Sequence, residues 1–340
     1  MLRWIAAAAL AAVVSVGAVH AQEPPPVAPV ATPPPFDEWL SALRAEAIAR
    51  GIKREIVDEA LGDLEPVEQI LERDRTQAEF ALDLDTYLER RLTRQTVRTA
   101  QRMLDRHRAL LKKIIAKYDV PGDIIVAVWG LESNFGRFAG VRPTITALVT
   151  LAYDPRRAGL FRQELFNALE IVNRGDIELA RLKGSWAGAL GQPQFMPSSY
   201  LKYAQDFDGD GRRDIWSSLP DVFASIAYFL QQHGWKSGQI WGREVRVPEG
   251  VREKLDDLER RKTGCRAERL MMAATPLEQW RKLGLKTATG QDLPTVRVEA
   301  SLVAAGSRFY LTYGNYDALL GYNCAHSYAL SIALLADRIR

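Results

Sequence analysis

The segment that most constrains the fold runs from Pro121 to Glu132 and reads PGDIIVAVWGLE. Pro and Asp at its start favour the first turn of a helix, where Pro loses no hydrogen bond and Asp suits the positive end of the dipole. The remainder is apolar on every side, so a helix of this sequence has to lie in the centre of a domain. The sequence therefore predicts a domain built around this helix.

A single acid ends the predicted central helix. Glu132 follows Ile125 by seven residues and Val128 by four, so the three side chains share one face. Apolar surroundings disfavour the charged form of a carboxyl and raise its pKa, and such an acid can protonate a glycosidic oxygen. We therefore identify Glu132 as a candidate general acid; a solvated surface charge at a helix end is the alternative.

The other segments predict an α+β fold that is mainly α, with a small β-containing part inserted late in the chain. Apolar residues at helical spacing indicate helices, and the basic face of the long helix over 93–118 is interpreted as solvated. Val-rich alternation of apolar and polar residues indicates strands. The predicted helices cover 36–48, 93–118, 158–174, 220–233, 276–284 and 316–340, and the predicted strands cover 245–251 and 293–302.

The N-terminal residues predict an exported protein. Residues 1–21 combine Arg3, an apolar run and a small-residue cleavage site, which is typical of a secretory signal peptide, and an uncleaved anchor is the alternative. Residues 22–35 form a Pro-rich linker that cannot pack into a core. The formal net charge is +3 and no other long apolar run occurs. We therefore expect a soluble periplasmic protein with no membrane anchor and no affinity for nucleic acid.

The chain contains two cysteines, Cys265 and Cys324. Two cysteines in an oxidising compartment usually form one bridge, and two separate buried thiols are the alternative. The sequence has no HExxH, CxxC or GxSxG spacing. Its motifs therefore argue against a zinc enzyme, a thiol redox enzyme and an α/β-type serine hydrolase.

A Gly-rich and aromatic stretch covers residues 183–200, KGSWAGALGQPQFMPSSY. Its glycines allow the backbone to approach a ligand closely, and Ser185 and Gln194 offer hydrogen bonds. Aromatic side chains such as Phe195 suit sugar rings, which are apolar on their faces and polar around their edges. The stretch therefore predicts a sugar-binding loop; a Gly-rich turn with core aromatics is the alternative.

An aspartate-rich loop, DFDGDGRRDIW, covers residues 206–216. Its acids alternate as in a calcium-binding EF-hand loop, and a Gly occupies the sixth position. Ser217 stands where that loop usually carries Glu, which leaves Asp221 to supply the carboxylate. An Asx-rich turn without metal is the alternative. The candidate ligands are Asp206, Asp208, Asp210, the carbonyl of Arg212, Asp214 and Asp221.

These motifs, in this order, resemble the lytic murein transglycosylase B family. The similarity extends from about Phe36 to Ile339 and includes WGLESNFGRFAG, the 183–200 stretch, the aspartate loop and YNCAHSYALS. The resemblance implies a structural calcium ion, no organic cofactor and a lysozyme-like core with an EF-hand-like loop. The implied divisions are a helical lobe over 36–118, the core over 119–242, a small β-containing lobe over 243–315 and a C-terminal helix over 316–340 that returns to the core.

The resemblance implies that the family's acid/base residue corresponds to Glu132. It also implies a substrate cleft formed by residues in and near the motifs. The sequence departs from the family's pattern at Phe229, where a cleft Tyr is usual and Tyr228 lies beside it, and at Ala325, where Ser is frequent. The expected substrate-binding residues are Ser133, Arg156, Arg157, Ser185, Gln194, Phe195, Tyr228, Tyr322, Asn323 and Tyr328.

The resemblance implies a lytic transglycosylase that cleaves the β-1,4 bond between N-acetylmuramic acid and N-acetylglucosamine. Glu132 would protonate the glycosidic oxygen and then accept the proton of the muramic C6 hydroxyl, whose oxygen closes a 1,6-anhydro ring. This intramolecular nucleophile replaces the second carboxylate of other glycosidases. A lysozyme-type hydrolase and a non-catalytic wall-binding protein are the alternatives. The expected partners are peptidoglycan glycan strands, with cell-wall synthesis or secretion machinery as a further candidate.

Overall fold

The computed structural model describes residues 33–75 and 83–340, and the chain from Pro33 to Arg340 forms one compact unit. The predicted signal peptide over 1–21 lies outside the described residues, as does the predicted linker up to residue 32. The predicted helix over 36–48 is confirmed, because the first helix begins at Phe36.

Helices fill the first third of the described chain. In α1 the buried residues Leu40, Leu43 and Ala47 recur at helical spacing, so one apolar face packs inward. The side chain of Asp83 caps α4 by accepting a hydrogen bond from the backbone of Thr86 at 3.0 Å. The helices are α1 (Phe36–Ala49), α2 (Arg54–Ala60), α3 (Glu68–Arg75), α4 (Leu84–Arg91), α5 (Arg94–Arg106) and α6 (Arg108–Tyr118).

The prediction of one continuous helix over 93–118 is wrong, because the chain breaks between α5 and α6 at His107. The ring of His107 lies 5.9 Å from that of Trp129 and 5.6 Å from that of Phe223. This contact of the half-buried His107 ring with two buried rings outweighs the helical propensity of the segment, which contains neither Gly nor Pro. The amphipathic pattern gave no sign of the break, since both helices bury their apolar sides.

The predicted central helix is confirmed as α7 (Gly122–Ser133). Every residue of α7 except Glu132 is buried. The helices that follow are α8 (Thr144–Tyr153), α9 (Ala158–Asn173), α10 (Pro197–Tyr203) and α11 (Leu219–Gln232), and a short antiparallel pair joins β1 (Arg142–Pro143) to β2 (Lys183–Gly184). The predicted helices over 158–174 and 220–233 therefore end within one residue of α9 and α11.

A small antiparallel sheet with the strand order β4-β6-β7-β3-β5 forms late in the chain. Its own hydrophobic cluster includes Val245, Trp280, Leu302 and Leu311, apart from the main helical core. Three short helices accompany it. The elements are β3 (Gly242–Arg246), α12 (Glu249–Arg252), α13 (Arg266–Leu270), β4 (Thr275–Pro276), α14 (Leu277–Lys282), β5 (Lys286–Thr287), β6 (Glu299–Ala305) and β7 (Arg308–Thr312).

The predicted strands are longer than the observed ones. The strand predicted over 245–251 ends at Arg246, and the one predicted over 293–302 begins only at Glu299. Pro248 and Pro294 interrupt these segments, and a proline cannot donate a hydrogen bond to a neighbouring strand. The predicted helix over 276–284 is confirmed as α14.

The C-terminal segment predicted as one helix over 316–340 contains two, α15 (Gly314–Tyr322) and α16 (His326–Ile339), at an angle of 118°. The predicted bridge is confirmed: Cys324, in the turn between them, is bonded to Cys265. Closing a loop of 59 residues stabilises the fold by about 4 kcal/mol in the chain-entropy model.

In the described ranges, no helix by itself has the length and apolar character needed to cross a bilayer, and only the bent pair α15–α16 meets those criteria jointly.

The helix α7 lies among α5, α6, α11 and α16, which all pack against it. The chain is thus mainly helical with a small antiparallel sheet, as the sequence predicts. This packing places the C-terminal end of α7 beside the first turn of α16. The divisions that we predict over 36–118, 119–242, 243–315 and 316–340 remain a prediction.

Candidate active site

The candidate acid lies at the end of α7 and faces an open cavity. Glu132 is half-buried, and the hydroxyl of Tyr328 donates a hydrogen bond to its Oε1 atom at 2.5 Å. The cavity has a volume of about 340 Å³, and Arg90, Arg91 and Phe138 also line it. Among the described residues that line the cavity, Glu132 is the only carboxylic acid. The acid is therefore accessible to a ligand while the rest of its helix is enclosed.

Ser133, expected to bind substrate, is the last residue of α7. It is fully buried, its hydroxyl donates to the carbonyl of Trp129 at 2.8 Å, and its oxygen accepts from the backbone of Gly136 at 3.0 Å. Asn134, Phe135 and Gly136 then adopt positive φ angles of 50°, 59° and 79°. Ser133 thus fixes the turn that ends α7 and lines the same cavity as Glu132, and its contact with substrate stays a prediction.

Two tyrosines, one on each side of the turn between α15 and α16, lie near Glu132. The rings of Tyr322 and Tyr328 stack 6.2 Å apart, and the Tyr322 hydroxyl donates to the carbonyl of Pro193 at 2.7 Å. Burial raises the pKa of both phenols well above the ordinary value, and the charge of Glu132 adds to the effect. Both hydroxyls therefore stay protonated, and the Tyr328 hydroxyl remains a donor to Glu132.

The turn itself holds the remaining C-terminal candidate. Asn323 is half-buried, and its carbonyl accepts a hydrogen bond from the backbone of Ala325 at 2.8 Å. The neighbouring Cys324 carries the disulfide to Cys265. A covalent link thus anchors the three-residue turn that connects α15, which ends at Tyr322, to α16, which carries Tyr328.

The 183–200 loop is held by its own polar side chains. The Ser185 oxygen accepts from the backbones of Ala187 at 3.2 Å and Ala189 at 3.1 Å. Gln194 has a positive φ of 55° and donates to the carbonyl of Gly191 at 2.7 Å. Both candidates therefore shape the loop, while the Pro193 carbonyl joins it to Tyr322.

Two aromatic candidates need correction. Phe195 is only 2% exposed, so its ring cannot offer a face to a sugar; it packs 5.8 Å from Tyr322 and 5.5 Å from Phe229. Tyr228 lies against Tyr118, at 5.9 Å between ring centroids, and against Tyr203 at 6.3 Å. Its neighbour Phe229 instead contacts Tyr322 at 4.6 Å. The ring that extends the Tyr322–Tyr328 pair is therefore Phe229.

The two arginines between α8 and α9 form an ion-pair cluster with α3. Arg156 lies 2.6 Å and Arg157 3.0 Å from the carboxylate of Asp74. Burial raises the pKa of Asp154, but hydrogen bonds from the backbone and side chain of Arg156 outweigh it and hold the pKa below its ordinary value. Both guanidiniums remain partly exposed, which leaves them donors for a ligand.

Three of the predicted metal ligands converge. Carboxylate oxygens of Asp206, Asp208 and Asp210 lie within 4.8 Å of one another. Asp206 also accepts backbone hydrogen bonds from Gly209 at 2.7 Å and Gly211 at 2.9 Å. Such a group of oxygens fits a hard cation like calcium. The backbone N–H of Arg212 donates a hydrogen bond to Asp210 at 2.8 Å, so Arg212 lies next to the three converging carboxylates.

The two remaining acids brace the loop and are not part of that cluster. Asp214 accepts hydrogen bonds from the backbones of Trp216 and Ser217, both at 2.9 Å. Asp221 is buried and accepts from the backbones of Phe207 at 2.8 Å and Asp214 at 2.9 Å. Burial raises the Asp221 pKa to about 6 despite these hydrogen bonds. The expectation that Asp214 and Asp221 complete the set of metal ligands stays a prediction.

Sequence reasoning missed Gln192, which connects the site to the aspartate loop. Its side chain is buried, accepts from the indole of Trp129 at 2.6 Å and donates to the carbonyl of Trp216 at 2.8 Å. It also missed Arg91, which lines the Glu132 cavity. Neither residue belongs to a motif, and no local pattern marks a buried amide or a cation from a distant helix.

The chain matches a known family over almost all of its described length. The family described as Transglycosylase SLT domain matches residues 35–337. The chain is 32% identical over 228 residues to the membrane-bound lytic murein transglycosylase B of Escherichia coli strain K12, a match that covers 65% of this chain and 58% of that protein. The matched part thus spans just over half the length of this curated relative.

Solved structures resemble the fold closely. SltB3 from Pseudomonas aeruginosa, in complex with NAG-anhNAM-pentapeptide, has a TM-score of 0.80 and 38% identity, covering 89% of this chain and 78% of that one. The Escherichia coli lytic transglycosylase Slt35 in complex with calcium has a TM-score of 0.72 and 25% identity, with coverage of 92% and 94%.

Proposed function

Because the chain belongs to the Transglycosylase SLT domain family, we propose that it is a lytic transglycosylase acting on peptidoglycan. It would cleave the β-1,4 bond between N-acetylmuramic acid and N-acetylglucosamine and leave a 1,6-anhydromuramic end. The observation that carries the proposal is Glu132, which faces a cavity from a buried helix and accepts a hydrogen bond from Tyr328. The anhydro ligand of the similar SltB3 structure is of the kind that this reaction forms.

The reaction needs one carboxyl. Glu132 gives its proton to the glycosidic oxygen as the bond to muramic C1 breaks. The C6 hydroxyl of the same sugar then attacks C1, and its proton passes to the Glu132 carboxylate, which restores the acid. Because the nucleophile belongs to the substrate, no second acid has to activate water. This agrees with the single carboxylic acid among the described residues of the cavity.

Tyr328 positions the acid through both steps. Its phenol stays protonated because burial and the Glu132 charge raise its pKa. It can therefore donate to one oxygen of Glu132 and leave the other to face the substrate. The bond strengthens when Glu132 becomes a carboxylate, since hydrogen bonds to charged acceptors are stronger than neutral ones. Tyr322 supports Tyr328 by ring stacking.

The product of the wild-type protein tests the proposal. We expect mass spectrometry of muropeptides released from purified sacculi to show anhydro ends. Reducing ends would identify a lysozyme-type hydrolase on the same fold, because water would then be the nucleophile. Binding to sacculi without any released fragment would identify a wall-binding protein.

The aspartate loop is a proposed calcium site. The three converging carboxylates of Asp206, Asp208 and Asp210 support it, as does the calcium complex of the similar Slt35. A ligand that binds only the folded protein stabilises it, so calcium added to chelated protein should raise Tm. Asp210→Asn should reduce the shift, and magnesium is the matched control. No shift at millimolar calcium would remove the metal from the account.

The proposed location is the periplasm, where glycan strands are accessible. The support is the substrate class of the family and the predicted signal peptide, which lies outside the described residues. Exclusive recovery of the mature protein from the cytoplasm would contradict this location. Cell-wall synthesis or secretion machinery remains a predicted partner.

A further inference from the structure

Arg91, the last residue of α4, lines the Glu132 cavity but has no part in the reaction steps proposed above. Its Nε atom is buried and makes no hydrogen bond. Buried polar groups in native proteins nearly always have a partner, so an exception beside a ligand cavity requires an explanation. Nε itself is covered in this structure, so a substrate in the cavity would supply the missing acceptor only after the side chain turns toward it.

The position of Arg91 is set by its helix. Asp85 of α4 pairs with Arg308 of β7 at 2.6 Å, and the carbonyl of Leu92, just past α4, accepts from Arg338 of α16 at 3.2 Å. The Arg91 guanidinium lies 5.6 Å from the centre of the Tyr87 ring. Contacts at both ends of α4 therefore hold this cation at the cavity.

The positive charge of Arg91 lies close to the catalytic pair. Burial and Glu132 raise the Tyr328 pKa, and the charge of Arg91 opposes that rise. Arg90, Arg91 and the Glu132 carboxyl line one space of about 340 Å³, and the Tyr328 hydroxyl reaches that carboxyl by its hydrogen bond. This volume falls within the range of small-ligand pockets and can hold one amino sugar with its substituents.

We propose that Arg91 binds the lactyl carboxylate of the N-acetylmuramic acid residue next to Glu132 and so selects muramic acid over N-acetylglucosamine at that position. The inference rests on the proposed function. The two sugars differ by this lactyl ether, which ends in a free carboxylate when the strand carries no stem peptide. A guanidinium offers a planar pair of donors that matches a carboxylate, and such charge-assisted bonds are the strong ones.

The test compares two substrates that differ only in this charge. One is a denuded glycan strand, and the other is the same strand with its lactyl carboxyls converted to methylamides. We expect Arg91→Met to lower kcat/KM on the carboxylate strand by about tenfold to a hundredfold, as for a lost hydrogen bond to a charged group. On the methylamide strand the loss should be several-fold smaller, because the acceptor then carries no charge to attract the guanidinium. Arg98→Met, an exposed position on α5, removes the same charge and should leave both values unchanged.

Equal losses on the two strands would overturn the inference, since they would indicate a role in structure alone. If Arg91→Met fails to fold, the inference can be tested on the wild type alone. Its preference for the carboxylate strand should fall as ionic strength rises, and equal cleavage of both strands at all salt concentrations would also overturn the inference. If the wild type releases no anhydro product from either strand, the proposed function itself has failed, which is a distinct outcome.

Discussion

Replacing Tyr328 with Phe removes one hydroxyl and retains the ring. The residue is 3% exposed, and its ring stacks on Tyr322 at 6.2 Å, so the aromatic packing of the variant should persist. The lost group is the donor that reaches Glu132 Oε1 at 2.5 Å. Because burial keeps the phenol protonated, this hydroxyl acts only as a donor to the acid.

The expected loss follows from the strength of that bond. Hydrogen bonds to charged groups contribute about 1.5–3 kcal/mol, and each 1.4 kcal/mol corresponds to about a factor of ten. We therefore expect Tyr328→Phe to lower kcat about tenfold to a hundredfold with a small change in KM. The assay is the initial rate of anhydro-muropeptide release at saturating glycan.

Tyr316→Phe is the matched control. Tyr316 is also fully buried, and its hydroxyl contacts His326 at 3.0 Å. It should change stability while leaving kcat within about twofold, since it removes a neutral hydrogen bond that the reaction does not use. A Tyr328→Phe variant with wild-type kcat, or with no larger loss than the control, would refute the positioning role of Tyr328.

Two further predictions concern stability. Burial lowers the His326 pKa from 6.5 to about 4, so the unfolded chain binds more protons between these values. The free energy of unfolding should therefore fall by up to about 3 kcal/mol from pH 7 to pH 4. In urea titrations, His326→Gln should remove this contribution to the pH dependence of stability. A variant with the same pH dependence as the wild type would contradict the prediction. Reducing the Cys265–Cys324 bridge should lower the free energy of unfolding by about 4 kcal/mol. It should also slow turnover, because Cys324 lies between Tyr322 and Tyr328. Equal Tm values for the oxidised and the reduced protein would contradict the predicted loss of stability.

The parts of the fold that the sequence predicted depend on patterns within one segment. An all-apolar helix has to be enclosed by others, which is why α7 was found together with the acid at its end. The convergence of Asp206, Asp208 and Asp210 was also predicted from one segment, because acids at alternate positions of such a loop lie close together.

The wrong predictions depend on contacts between distant segments. His107 breaks a helix because its ring meets Trp129 and Phe223, which a periodic pattern cannot show. Phe195 has the chemistry of a ligand-binding residue, and its burial is decided by the neighbouring rings. Residue type identifies what a side chain can bind, while tertiary packing decides whether a ligand can reach it.

Neighbouring positions on a helix show the same limit. Tyr228 was expected to bind substrate, and it lies next to Phe229, which stands where the family usually has a cleft Tyr. Successive residues of a helix point in different directions, and only Phe229 contacts Tyr322. Likewise, Arg91 approaches Glu132 from a helix 41 positions earlier, so no local motif could include both.

The most direct test of the account is the release of anhydro-muropeptides from purified sacculi by the wild type and by Glu132→Gln, measured together by mass spectrometry. The amide can still accept the Tyr328 hydrogen bond, so the variant should keep the wild-type Tm, but it cannot donate the catalytic proton. We predict anhydro products from the wild type and none above the buffer blank from the variant. Comparable release by a folded Glu132→Gln protein would contradict the claim that this one carboxyl performs both proton transfers.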